Sequence, residues 1–295
     1  MNPYVLTSCS PADLSKEWFT RLDIPYVCFK YELGGATHPD DLWTSMTPQA
    51  FYQEMIDGAM TRTSQVNVME YVNFWRPFLE SGKDIVHVTL STGLSGTYNS
   101  ACTAAETLRR EYPDRTIRIV DSLAASSGFG LLLDTMAEKR NQGASLEELV
   151  DFAEKRKLYL HHWFFSSDLT FYIRGGRVTK TAGFFGKILN ICPLLNVNNE
   201  GRLIPREKIR TKKKAIVTIV ERMKEHAENG LNYSGKCFIS HSDRLEDARA
   251  VASLVESTFP RLNGKVQIFD IGSTIGAHTG PGTIALFFWG DLRQA

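Results

Sequence analysis

Residues 84–100 read DIVHVTLSTGLSGTYNS, and this stretch decides the fold. Ile85, Val86, Val88 and Leu90 form a β-branched, apolar run suited to a parallel strand covered on both faces. The run passes into a turn rich in glycine and hydroxyls: Ser91, Thr92, Gly93, Ser95, Gly96 and Thr97. A helix follows, expected over 98–110 and stopping before Pro113. Unpaired N–H groups and a partial positive charge at a helix start can hold a carboxylate or phosphate. The same residues also serve as an ordinary N-cap, and the stretch alone leaves both readings open.

Outward from this point, short apolar strands alternate with amphipathic helices. Strands are expected at 4–6, 24–31 and 117–120, and helices after Ser10-Pro11, after Thr47-Pro48, over 68–79 and over 130–142. Ser145 and Glu148 have capping-box spacing for a further helix. The alternation predicts a parallel, doubly wound sheet, with ligands at the carboxyl ends of its strands. Both the 91–97 turn and TRTSQVN, read as a polar loop carrying Thr63 and Ser64, are placed to lie at that end.

From residue 157 the pattern changes, which divides the chain into 1–156 and 157–295. LYLHHWFFSS is a strand, and a Gly-Gly-Arg turn then leads to an apolar helix bearing Phe184, Phe185 and Ile188. Those side chains suit an apolar tunnel and equally a plain core. Two hairpin strands cross Asn199-Glu200-Gly201, followed by helix, strand, helix and strand. The last segment, IGAHTGPGTIALFFW, sets His278 in a glycine-rich turn before a final apolar strand. That imidazole either faces a cleft or steadies a tight turn. His161 and His162, inside an apolar strand, read as structural.

Composition narrows the function classes. The chain has 295 residues, 43% hydrophobic and 23% charged, with a formal net charge of +1, which argues against a general nucleic-acid binder. Five scattered cysteines without a CxxC pair point to a reducing cytoplasm and against a zinc site. No apolar run approaches membrane-spanning length. Neither a G-x-x-x-x-G-K-[ST] motif nor a G-x-G-x-x-G after a strand occurs, so nucleotide binding by this chain is unsupported. GLSGT at 93–97 resembles the nucleophile elbow of serine hydrolases but has Thr97 where that motif needs glycine. A serine esterase acting through Ser95 therefore stays a minority alternative. The basic run Arg206, Lys208, Arg210, Lys212, Lys213 and Lys214 is either a solvated face or a docking patch.

Taken together, TSQ at 63–65, STGLSGTYNSA at 91–101, DSLAASSG at 121–128, IRGGRVTK at 173–180, GKILNICPLL, EGRLIPREKIRTKKKA and IGAHTGPG at 275–282 resemble the DegV family. These proteins bind long-chain fatty acids and include the FakB subunits of bacterial fatty acid kinase. The resemblance implies a Rossmann-like parallel-sheet domain plus a second α/β domain with a mixed sheet, the fatty acid lying between them. It implies that Thr63, Ser95 and His278 hold the carboxylate and that Arg210 lies at a kinase-docking surface; Ser64, Thr92, Phe184, Phe185 and Ile188 are candidates for the pocket. It further implies a non-catalytic, cytoplasmic lipid carrier with no cofactor or metal. A separate ATP-dependent kinase would phosphorylate the bound acid, and the acyl phosphate would pass toward phospholipid synthesis, any membrane contact being transient. A lipid sensor without a kinase is the other alternative. Two departures stand out: the family's DST(A)DL segment reads Ser8-Cys9-Ser10-Pro11-Ala12-Asp13-Leu14, without the first Asp, and Val66 replaces the proline of TSQPS, a change expected to loosen the Thr63 loop.

Overall fold

The computed structural model describes residues 3–178 and 191–295. Thirteen strands are found among them: β1 (Tyr4–Cys9), β2 (Tyr26–Val27), β3 (Lys30–Leu33), β4 (Ala36–Pro39), β5 (Arg62–Ser64), β6 (Asp84–Thr89), β7 (Ile117–Asp121), β8 (Leu160–Ser166), β9 (Ile191–Val197), β10 (Leu203–Arg210), β11 (Cys237–His241), β12 (Gln267–Asp270) and β13 (Thr283–Trp289). The helices are α1 (Lys16–Arg21), α2 (Pro48–Ile56), α3 (Val68–Glu80), α4 (Thr97–Glu111), α5 (Ser126–Asn141), α6 (Leu146–Arg156), α7 (Thr170–Arg174), α8 (Lys212–His226), α9 (Leu245–Thr258) and α10 (Ser273–Thr279).

The first sheet is parallel, in the order β2-β1-β6-β7, and β6 is buried at every position. That burial is what its unbroken apolar run requires, because helices cover both faces of such a sheet. The second sheet, β10-β9-β8-β13-β11-β12, is mixed: only β11 and β12 pair in parallel, and the other neighbours are antiparallel. A parallel sheet beside a mixed one is the expected α/β class. Helix α5 lies between them, its Ser127 bonded to Asp13 O on one side (3.1 Å) and to Ser240 Oγ on the other (2.5 Å). Among the described residues no helix is long and apolar enough to cross a membrane.

Several local readings change. The strand expected over 24–31 divides, β2 joining the parallel sheet and β3 a small antiparallel sheet, β4-β3-β5. The TRTSQVN loop is partly strand: Thr63 pairs with Tyr31, and Ser64 with Lys30. Val66 is 1% exposed in the core, and Asn67 caps α3 through a capping box with Glu70. Core packing and the cap thus hold this segment where a proline was expected. At the amino terminus Ser15 caps α1, whereas Ser10 lies in a short 3₁₀ turn. Helix α5 starts at Ser126, four residues before the glycine from which it was expected.

Candidate functional site

Three elements converge at the carboxyl end of β6. The 91–96 turn is tied down by backbone bonds from Leu94 and Ser95 to Ser91 O, of 3.0 and 3.1 Å. Ser91 Oγ donates to Gly201 O at 2.9 Å, which fastens the turn to the β9–β10 hairpin. Asp121, at the end of β7, accepts from Thr92 N, Thr92 Oγ1 and Leu123 N at 3.2, 2.5 and 3.0 Å. Thr92 lines the cavity described below, but its hydroxyl is engaged with Asp121.

The second element is β5. It places Thr63 Oγ1 2.7 Å from His278 Nε2, a residue of the third element, α10. His278 thus lies in the last turn of a short helix, and the glycine turn expected around it follows at 280–282. The other ring nitrogen, Nδ1, packs over Gly175, where a Cβ would stand 2.3 Å away, so only glycine allows this approach. No hydrogen-bond partner for Nδ1 occurs among the described residues. Burial pushes the His278 pKa down to about 4, with the Arg177 cation adding to the effect, so the ring is neutral near pH 7. With the proton on Nε2, the imidazole donates to Thr63 Oγ1 and leaves that hydroxyl's own hydrogen for a guest oxygen.

Ser95 completes the cluster. It is half-buried, accepts from Thr97 N at 3.3 Å and donates weakly to Gln65 Oε1 at 3.5 Å. His278 is paired with Thr63, so among the described residues Ser95 has no hydrogen-bonded imidazole to act as its base.

These groups border a cavity of about 630 Å³ between the two sheets. Its lining includes Thr63, Ser64, Gln65, Thr92, Ser95, His278 and Arg177 around the polar region. Elsewhere the walls are mainly apolar, with Phe29, Leu90, Phe164, Val197, Leu203 and Phe287 among them. Among the described residues no acidic side chain lines it, and Arg177 is its one cation of fixed charge. The Arg177 guanidinium donates to Gly175 O at 2.6 Å and is half-buried, and burial lowers its pKa. None of the ion pairs among the described residues includes it.

The expected residues therefore divide. Thr63, Ser64, Thr92, Ser95 and His278 all border one cavity. Phe184, Phe185 and Ile188 lie outside the described residues. Arg210 is exposed at the end of β10, away from the lining. Most of the lining was not expected, Arg177 and His162 among it. Arg177 stood inside IRGGRVTK with no sign of which way it faced. His162, read as structural, borders the cavity, and alternation along its strand with Phe164 was the available signal.

The family model described as "Uncharacterised protein, DegV family" matches residues 7–291. A DegV domain-containing protein of Clostridium perfringens is 36% identical over 294 residues, which is 100% of each chain. A DegV family protein from Thermus thermophilus, whose structure is described as one of fatty acid binding, is 27% identical. It covers 99% of this chain and 100% of that one, with a TM-score of 0.86. The fatty acid kinase (Fak) B3 protein of Streptococcus pneumoniae, loaded with linoleic acid, covers 98% and 100% with a TM-score of 0.83. At 20% identity that likeness bears on the fold alone. With agreement over nearly its whole length in sequence and in fold, this chain belongs to the DegV family.

Proposed function

We propose that this protein binds a long-chain fatty acid between its two halves, residues 1–156 and 157–295, and presents the carboxylate to a partner ATP-dependent kinase. The observation that carries the reading is the cavity itself: mainly apolar walls, no acidic group among the described lining, and one region that gathers Thr63, Ser95, His278 and Arg177. An acyl chain gains about 0.8 kcal/mol per buried methylene, while the polar cluster sets which end faces out. Hydroxyls, a neutral imidazole and a guanidinium offer donors to a carboxylate or an acyl phosphate. The fatty acid binding stated for the Thermus thermophilus relative supports the ligand class.

The kinase step rests on the family resemblance. In this reading the chain is a carrier with no catalytic group of its own, and the acyl phosphate leaves with it toward phospholipid synthesis. Denaturing mass spectrometry of the purified protein tests the ligand class: released fatty acid is expected, and an acyl adduct on Ser95 would overturn the carrier reading. Incubation with a fatty acid kinase subunit and ATP then tests presentation. Acyl phosphate formation is expected, and bound lipid that no such kinase phosphorylates would make the protein a sensor.

A further inference from the structure

The cavity floor is one face of the β8–β13 ladder. Thr283, Ala285 and Phe287 of β13 alternate onto that face, and Phe164 and His162 of β8 stand opposite Ala285 and Phe287. The next residues on the same face, Leu160 and Trp289, are paired with each other and do not line the cavity. Phe287 and His162 are therefore the last row that a ligand meets along these strands. Their rings pack edge to face, with centroids 5.2 Å apart, and each residue is 2% exposed. Thr283, four residues back along β13, is bonded to Tyr172 at 2.8 Å and lies five residues beyond His278. The two rows are separated by ~13 Å of strand, on the order of ten carbon–carbon bonds of an extended chain.

Behind this last row stands α5, whose Ala125–Ser126 start also lines the cavity. At Gly128 the helix carries no side chain. A Cβ there would lie 2.3 Å from His162 Nε2, 2.5 Å from His162 Cδ2 and 2.6 Å from Phe287 Cδ1. Gly128 is the third residue of α5, and the close approach of both rings requires that it carry no side chain. The helix start is also held: Ser126 Oγ donates to Asp13 Oδ2 at 2.5 Å, and Ser127 Oγ to Asp13 O at 3.1 Å. The helix start is thus pinned beside the rings, which border the cavity.

We propose that Gly128 sets the depth of the cavity, its absent Cβ being the space into which the His162 and Phe287 rings withdraw, and so determines the longest acyl chain accepted. The inference rests on the fatty-acid reading above. Carbon atoms pack at about 3.5–4.0 Å, so an alanine methyl would drive the rings forward by about 1 Å or more, a distance comparable to one methylene step.

The test is calorimetric titration of delipidated protein with myristic, palmitic and stearic acids. Gly128→Ala should lower the stearic-to-myristic affinity ratio by about fourfold for each excluded methylene, which corresponds to ~0.8 kcal/mol per group. Phe287→Leu, which thins the same wall without touching the helix, should raise that ratio. Should Gly128→Ala fail to fold, judged by its melting curve, the Phe287→Leu ratio decides alone. Ratios that stay at the wild-type value, or equal losses for all three acids, would overturn the proposal while leaving fatty-acid binding intact. Wild-type protein that binds none of the three would overturn the reading beneath it.

Discussion

Thr63 Oγ1 and His278 Nε2 lie 2.7 Å apart although 215 positions separate them in the chain. One sits on an edge strand of the small sheet and the other in the helix that leads into β13. Any anion bound at this pair therefore bridges β5 and α10. Thr63→Ala and His278→Ala should each weaken fatty-acid binding, and the double variant should lose less than the sum of the two. Contacting residues typically couple by about 0.5–3 kcal/mol. A calorimetric double-mutant cycle measures this, and additive losses would show that the pair does not act on the ligand as a unit.

Ser95→Ala should reduce fatty-acid affinity about tenfold or more while leaving the fold intact. A hydrogen bond to a charged group is worth about 1.5–3 kcal/mol, whereas among the described residues the Ser95 hydroxyl makes a 3.5 Å contact to Gln65 and accepts at 3.3 Å from Thr97 N. Titration and a thermal melt on the same preparation separate the two effects. Unchanged affinity would remove Ser95 from the head-group site.

His278 should link binding to pH. Its pKa of about 4 in the free protein leaves it neutral at pH 7, and a carboxylate beside it raises that value. Proton uptake on binding then makes affinity fall as pH rises through the window between the free and liganded values. Arg177, the charged neighbour of the ring, works against protonation and narrows this window. Affinity measured from pH 5 to pH 8 should slope downward for the wild type and flatten for His278→Gln. Identical slopes would mean that His278 contributes hydrogen bonding and shape only.

Arg210→Ala should impair phosphorylation by the kinase more than it impairs lipid binding. The side chain is exposed at the end of β10, beside Thr211, which caps α8, and it does not line the cavity. Parallel assays of acyl phosphate formation and fatty-acid affinity test the split. Equal losses would assign Arg210 to the fold or to the ligand site.

His87 should account for part of the acid lability. It is fully buried in β6, bonded through Nδ1 to Thr7 Oγ1 at 2.9 Å, and burial lowers its pKa to about 3. The unfolded chain takes up a proton near pH 6.5 that the folded chain refuses, so stability is lost as pH falls from about 6.5 toward 3. By pH 4 this amounts to about 3 kcal/mol. His87→Phe should shrink the stability difference between pH 7 and pH 4 by about that amount in urea titrations. A difference as large as that of wild type would show that other groups carry the acid transition.

The amino-acid sequence alone determined the parallel sheet, because an unbroken β-branched run such as 85–90 is stable only when covered on both faces. It also marked the 91–97 turn, since hydroxyls and glycines between strand and helix are a local signal. His278 was singled out by its surrounding glycines, although these belong to the end of a helix and the turn after it. Only the tertiary structure decided that Thr63 meets His278, that Asp121 engages Thr92, that Arg177 faces the cavity and that His162 and Phe287 form its last row on the β8–β13 floor. Local periodicity tells which face of a strand is apolar, but not what stands over that face. For β8 and β13 the answer came from α5, whose packing against the strands depends on contacts made far away in sequence.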